Sequence, residues 1–468
     1  MARKLIINPL TRISGFAEIE VTIENNKIAE AMTKGFLFRG FEKILKGRPP
    51  LDAIYLTQRI CGICSAAHSM GSTLALEDAL NIIPPEQGRY LRDFLHGCEF
   101  LQNHIRHFYQ YTVPDFVRLP EVSTIYSKKN GDYRLPEKVN KRISGNYFAS
   151  LEYSRQAHEM LAVLGGKAPH NHGIFINGIT TQPAADKIIK IKSILNKIKE
   201  FIENKMIPDV YCLAEYYSDC LGMGESYGNF LSYGCFDNYS DLGSLYVEPN
   251  VYSNGQKVKL NPDKITENID YSWYDNGPST YKPFETVPEA DREKSRAYSW
   301  VKAPRYMGLP FEVGPLARLW LTGEYRRGIS AMDRTIARVL EARKITAIMV
   351  KLLENIMPDI SVQQEYTVPL AAQGSGLVDT TRGALGHWLK IENKVLSFYQ
   401  IITPTVWNFS SRDSDFRGVA EKALIGTPIE NKDNPVEIGR ILRSFDPCIS
   451  CATHIYIPGH EVRTIQIV

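Results

Sequence analysis

The sequence predicts an α+β fold in which helices predominate, with a core of long packed helices, a β-hairpin at the N-terminus, small peripheral sheets and a metal site buried between the chain ends. Three observations lead there. Stretches near 85–111, 185–206 and 329–357 repeat apolar residues at three- and four-residue steps, the spacing of one helix face. The first 34 residues instead contain apolar runs and alternation. Two Cys-x-x-Cys pairs, Cys61/Cys64 and Cys448/Cys451, lie near opposite ends of the 468 residues. A site built from both must close across nearly the whole chain, which implies one body rather than the three domains that about 150 residues per domain would suggest.

In chain order, KLIINP and AEIEVTI precede the polar turn 24–27 and a further strand, IAEAMTKG, giving the hairpin over 4–34. The next 80 residues turn helical, and from Pro85 to Tyr111 the residues Tyr90, Leu91, Phe94, Leu95, Cys98, Leu101 and Ile105 form one apolar face. In 185–206, Ile188, Ile191, Leu195, Ile198 and Ile202 face inward and lysines outward, as on a core helix with a solvated side. Residues 208–300, rich in Tyr, Gly, Asn, Asp and Pro, read as an irregular insertion wrapped on the main body. Helices return at 329–357, and the last hundred residues mix strands such as KVLSFYQIITP with loops.

Composition excludes several classes. With 44% hydrophobic and 23% charged residues, 33 Gly and 26 Pro, the chain resembles neither a disordered, a collagenous nor a coiled-coil protein. The 55 Lys+Arg against 52 Asp+Glu, a net +3, provide no basic stripe for nucleic acid. Eight cysteines are too few for a disulfide scaffold. MARKLIINPLTR lacks a secretory apolar core, and ITAIMVKLLENIM is broken by Lys351 and Glu354, far short of a membrane span. A soluble chain is expected.

Each Cys-x-x-Cys directs two sulfurs to one point. Soft sulfur ligands select zinc, copper(I), iron or nickel, so the pairs fit a structural zinc site, a redox dithiol or another metal centre. Their surroundings narrow this. RICGICSAAH at 59–68 and DPCISCATH at 446–454 match R-x-C-G-x-C-x-x-x-H and D-P-C-x-x-C-x-x-H in full. With NPLTRISG, FRGFE at 38–42, GGKAPH at 165–170, KAPRY at 302–306, EVGPLAR at 312–318, RGALGHW at 382–388 and TPTVWN at 403–408, the chain resembles the large, catalytic subunit of nickel-iron hydrogenases over essentially its whole length.

The resemblance implies a binuclear Ni-Fe centre with carbon monoxide and cyanide on the iron. Cys61 and Cys448 would be terminal nickel ligands, and Cys64 and Cys451 would bridge to iron. Arg382 would lie over the metals, oriented by Asp446; Thr405 would hold a cyanide, and His68 would donate to a bridging thiolate. Glu42 and His454 would bind Mg2+ or Fe2+ near the C-terminus. Hydrogen would be split heterolytically and its electrons passed to a small subunit with iron–sulfur clusters, since this chain has no further Cys cluster; His170 lies in the stretch expected nearest the proximal one. That partner would carry any export signal and any membrane association, so the missing signal leaves the compartment open, and the cytoplasm is expected. Nickel-insertion proteins and a protease would act in maturation, the protease cutting after His454 to leave one domain over 1–454 and to remove 455–468.

Departures from the family pattern stand at Ser14, where relatives have Glu, and at Phe16, Asn103 and Thr381, where His, Asp and Pro are usual. The proton would then leave through Ser14 and ordered water or by another route. A hydrogen-sensing regulatory subunit of low turnover is the alternative function. The related subunit of respiratory NADH:quinone oxidoreductase is disfavoured because it has lost the four cysteines. Among the remaining signals, His104 and His107 read as structural, Gly165-Gly166-Lys167 is no phosphate loop, and Asn408-Phe409-Ser410 is no glycosylation site without a secretory route. Cys98, Cys212, Cys220 and Cys235 read as buried apolar side chains.

Overall fold

The computed structural model describes residues 3–120, 132–275, 277–285 and 289–452, with Cys451 and Ala452 as backbone alone. The N-terminal hairpin gains a third strand: Arg3–Ile7, Ala17–Glu24 and Lys27–Gly35 pair antiparallel in that order. Asn25 and Asn26 both adopt positive φ, 48° and 59°, the left-handed pair that a two-residue hairpin turn requires and Asn tolerates.

The helical core is built on Glu86–Arg106, which packs against both Glu137–Gly165 and Ala331–Asn355. Packed from two sides, Glu86–Arg106 is buried almost all round instead of along one face, and Arg92, His96, Glu99, Asn103 and His104 lie inside it. Its continuation over His107–Thr112 is a wider π turn. Glu137–Gly165 was not expected, because much of its inner face is Ser144, Ser150, Ser154 and Ala157, which leave little apolar period. Ala331–Asn355 matches its expected span and begins at a capping box, in which Ser330 Oγ accepts from Asp333 N–H and the Asp333 carboxylate accepts from Ser330 N–H.

In Ala185–Phe201, Ile191, Leu195 and Ile198 are buried as expected, whereas Ile188 is only half-buried. The chain then passes through Ile202–Met206 into a further helix, Ile207–Tyr216. The irregular region thus starts later than 208; Pro208 sits in the first turn, where its missing N–H costs no helical bond.

One expectation is overturned. The sheet Ala371–Thr380, Gly383–Glu392, Val395–Ile402 is not peripheral: it packs on helix Ser65–Leu80, and its middle strand is almost wholly buried. Glycines allow the contact. A Cβ at Gly376 would lie 2.1 Å from Gly71 O, and one at Gly374 2.3 Å from Ala75 O, so strand and helix touch backbone to backbone. This helix, SAAHSMGSTLALEDAL, is buried on all sides and has no apolar stripe to announce it.

Charge is also buried in the core. Arg318 donates to both oxygens of Glu341 at 2.6 and 2.7 Å and to Asp379 at 3.1 Å. Burial pushes the Glu341 carboxyl up, but Arg318 outweighs it and holds it at about 2, below its ordinary 4.5. A depressed carboxylate stabilises the fold above its unfolded pKa and loses that contribution as pH falls through the folded one. The melting temperature is therefore expected to drop between pH 4.5 and 2, and Glu341→Gln, destabilised by about 3–5 kcal/mol at neutral pH, should lose that part of the slope. Thermal melts of both proteins across this range check it. No described helix is long and apolar enough to cross a membrane.

Candidate metal centre

The two cysteine segments meet. Cys61 is in extended conformation after the short turn Gln58–Ile60, and Cys64 occupies the N-cap of Ser65–Leu80. Cys448 lies between helices Val436–Ser444 and Ile449–Ala452. Backbone bonds fix the second segment. Ser14 N–H donates to Pro447 O at 3.3 Å and Ile449 N–H to Ser14 O at 2.7 Å, while Cys448 N–H donates to Thr405 Oγ1 at 2.9 Å. Gly15, at φ 84°, is required here, since a Cβ would come within 2.5 Å of Ser450 N. Arg39 joins the two segments, donating to Arg59 O and Ile60 O beside Cys61 and to Ser450 O.

The ligand atoms of Cys61, Cys64 and Cys448 all lie within 4.8 Å of one another, and all three residues are buried. Cys61 Sγ and Cys448 Sγ are 3.3 Å apart, too far for a disulfide of about 2.05 Å. With metal–sulfur bonds of about 2.3 Å, one metal atom can reach sulfurs so spaced. The side chain of Cys451 lies outside the described residues.

Arg382, also buried, lies within electrostatic reach of all three cysteines. Its Nε donates to Asp446 O at 2.9 Å and lies 3.1 Å from Asp446 Oδ1; its Nη2 donates to Asn103 Oδ1 at 2.8 Å. Asn103 Nδ2 donates in turn to Asp446 Oδ2 at 2.7 Å, so the amide bridges guanidinium and carboxylate. Burial disfavours charge on Arg382, but Asp446, Cys448, Cys64 and Cys61 together raise its pKa. Nη1 is buried and has no partner among the described residues. A buried guanidinium N–H without an acceptor, beside three converging sulfurs, suits a group bound between them. The Ser14 hydroxyl is likewise buried and unpartnered.

A family model described as nickel-dependent hydrogenase matches residues 39–131, 123–328 and 321–454. The chain belongs to the nickel-dependent hydrogenase family. It is 34% identical to the periplasmic [NiFeSe] hydrogenase large subunit of Desulfomicrobium baculatum, over 97% of this chain and 95% of that one. It is 29% identical to the hydrogenase-2 large chain of Escherichia coli K12, over the full length of both. The reduced Ni-Fe-Se hydrogenase of D. vulgaris Hildenborough superposes with a TM-score of 0.94 at 35% identity, covering 97% of this chain and 100% of that one. The protein is thus a hydrogenase large subunit, the catalytic one, and a small subunit is its partner. All four motif positions are Cys in this chain.

In this large subunit His68 is one turn beyond Cys64, its N–H donating to Cys64 O; burial lowers its imidazole to about 4. Glu42, in the short helix Phe41–Leu45, is raised by burial, with Lys302 opposing and Glu267 reinforcing the shift. His454, its expected partner, and the tail 455–468 lie outside the described residues. His104 and His107 prove structural: His104 Nε2 pairs with Glu341 and His107 Nε2 with Arg443 O, both at 2.8 Å. Cys98, Cys220 and Cys235 are buried, but Cys212 is only half-buried. Sequence reasoning missed Arg39 and Glu99. Glu99 Oε2 and Oε1 accept from Ala66 and Ala67 N–H at 2.7 and 3.0 Å, and burial pushes the carboxyl up to about 8. A signal existed: Glu99 lies four residues from both Leu95 and Asn103, a carboxyl on a buried face.

Proposed function

We propose that this large subunit cleaves hydrogen heterolytically at a nickel–iron centre held by Cys61, Cys64, Cys448 and Cys451, with sulfur at every position. The convergence of three buried sulfurs near Arg382, whose Nη1 has no partner among the described residues, carries the reading. When bound, the metal pair, with carbon monoxide and cyanide on iron, supplies the redox-active Lewis acid. The chain's own residues do the rest. Asp446 and Asn103 hold the guanidinium of Arg382 in one orientation, leaving Nη1 to donate to a cyanide or to polarise hydrogen. Thr405, its oxygen accepting from Cys448 N–H, keeps its hydroxyl proton for the other cyanide. His68 donates toward a bridging thiolate and tunes its basicity. Nickel and iron analysis, infrared detection of cyanide and carbon monoxide, and dye-linked hydrogen oxidation test the proposal; a centre with all these bands but negligible turnover would favour the sensor.

Proton exit belongs to Ser14 in this proposal. Its hydroxyl has no partner among the described residues, so it can bond water, although it cannot hold charge as a carboxylate would. Ser14→Ala is expected to slow hydrogen/deuterium exchange severalfold while nickel content is kept; unchanged exchange would remove the hydroxyl from the path.

Glu42 and His454 would bind Mg2+ or Fe2+, oxygen-rich ligation favouring magnesium. An iron–sulfur small subunit would receive the electrons near His170, whose N–H donates to Ser65 Oγ beside the first cysteine pair. Nickel-insertion proteins and a protease would mature residues 1–454 as one domain and release 455–468. The family match ends at 454, which supports this. Active protein should end at His454 by intact mass, and activity in chains ending at Val468 would refute the cleavage. Cytoplasmic residence belongs to the same proposal, although the D. baculatum relative is periplasmic by name; fractionation with periplasmic markers would overturn it.

A further inference from the structure

A buried chain of three polar side chains runs from the cysteine cluster into the sheet. His68 Nδ1 lies 3.3 Å from His387 Nε2, and His387 Nδ1 lies 2.8 Å from the Tyr399 hydroxyl. All three side chains are within 2% of full burial. The sheet register explains the second contact: Tyr399 stands opposite Leu389, which places it diagonally across from His387 on the same face. The first contact depends on Gly71, where a Cβ would lie 2.8 Å from His387 Cδ2 and 3.2 Å from its Nε2. A larger residue at 71 would force the His387 ring or the helix to shift and so disturb its contact with His68.

The direction of these bonds is determined from the tyrosine end. The described residues give the Tyr399 hydroxyl His387 Nδ1 as its one hydrogen-bond partner. A buried O–H with one partner must donate to it or lose its own bond, at a cost of about 1–3 kcal/mol. Donation makes His387 Nδ1 an acceptor, so the ring proton is on Nε2 and points at His68 Nδ1. His68 Nδ1 is then an acceptor too, and the remaining proton of that ring is on Nε2. The opposite direction would strand the tyrosine proton and turn a lone pair of His68 Nε2 toward the cysteines. Burial keeps both imidazoles neutral and the phenol protonated, so each bond has one donor and one acceptor.

We propose that Tyr399 and His387, seated in the notch at Gly71, are positioning residues that hold His68 as the Nε2–H tautomer, its donor presented to the thiolates. The inference rests on the proposed metal centre for its purpose but not for its test. The metal-free full chain, labelled with 15N-histidine, should show His68 as a single Nε2–H tautomer, its resonances assigned by their loss in His68→Gln. Tyr399→Phe keeps the ring and removes the donor; a second, Nδ1–H form of His68 should then appear. Gly71→Ala, which displaces His387 from the other side, should give the same result if Tyr399→Phe fails to fold. In the nickel-loaded complex the cyanide bands should shift in Tyr399→Phe with metal content unchanged. An Nδ1–H His68 in the wild type, or an unaltered His68 in a folded variant, overturns the proposal. Wild-type complex without nickel or iron would instead overturn the hydrogenase centre, leaving the tautomer result standing.

Discussion

Cys448→Ser is expected to abolish hydrogen turnover and to leave the purified subunit with no nickel above the background of metal-free chain. Cys448 is fully buried and its sulfur lies 3.3 Å from that of Cys61. An alkoxide is not accessible to serine at neutral pH, and a neutral hydroxyl is a hard, weak donor where soft thiolate is needed to hold nickel. The fold should survive, because the contacts that fix this segment use its backbone and not the Cys448 side chain: Cys448 N–H to Thr405 Oγ1, Ser14 N–H to Pro447 O and Ile449 N–H to Ser14 O. Unchanged circular dichroism with nickel lost, measured by mass spectrometry of the metal, is the outcome that assigns the cysteine to the centre. Retention of stoichiometric nickel would remove Cys448 from the ligand set.

Arg382→Lys is expected to keep the metals and lower turnover by roughly 10²–10³-fold, the loss typical when one donor aimed at the reacting group is removed. The arginine makes three fixed contacts, two to Asp446 and one to Asn103, and its Nη1 has no partner among the described residues. A lysine ammonium has no planar fork; if it reaches Asp446 it cannot also present a directed N–H toward the cysteines. Charge is conserved, so the buried Asp446 carboxylate, held at about 2 chiefly by Arg382 against its burial, keeps a counter-ion and the fold should be nearly as stable. Turnover with an artificial dye, metal content and melting temperature separate these effects. Full activity in Arg382→Lys would show that net charge suffices, and the geometry with Asn103 would then be incidental.

Much of the centre was legible in the sequence because ligand chemistry is local. A Cys-x-x-Cys at the entry of a helix directs two sulfurs within one turn whatever the remainder of the chain does, and of the residues expected around it Arg382 bonds Asp446, Thr405 accepts from Cys448 N–H and His68 N–H donates to Cys64 O. Apolar spacing over 85–111, 185–206 and 329–357 likewise located helices. Where spacing failed, it failed for stated reasons. Ser65–Leu80 is buried all round and rich in small residues, and much of the inner face of Glu137–Gly165 is serine and alanine, so neither has the stripe that periodicity detects.

The tertiary structure alone decided how the distant parts are held. Arg39 ties Ile60 to Ser450, Ser14 clamps the second cysteine segment through its backbone, and Asn103 bridges Arg382 to Asp446. It also placed the 371–402 sheet against the helix of the first motif, with glycines at the contact and the Tyr399–His387–His68 chain inside. The sequence determined which atoms can bind metal and how each pair is spaced, since both follow from side-chain chemistry and a few consecutive dihedrals. Contacts between residues hundreds of positions apart depend on how whole elements pack, and that is settled by burial and steric fit in three dimensions, which no local pattern contains.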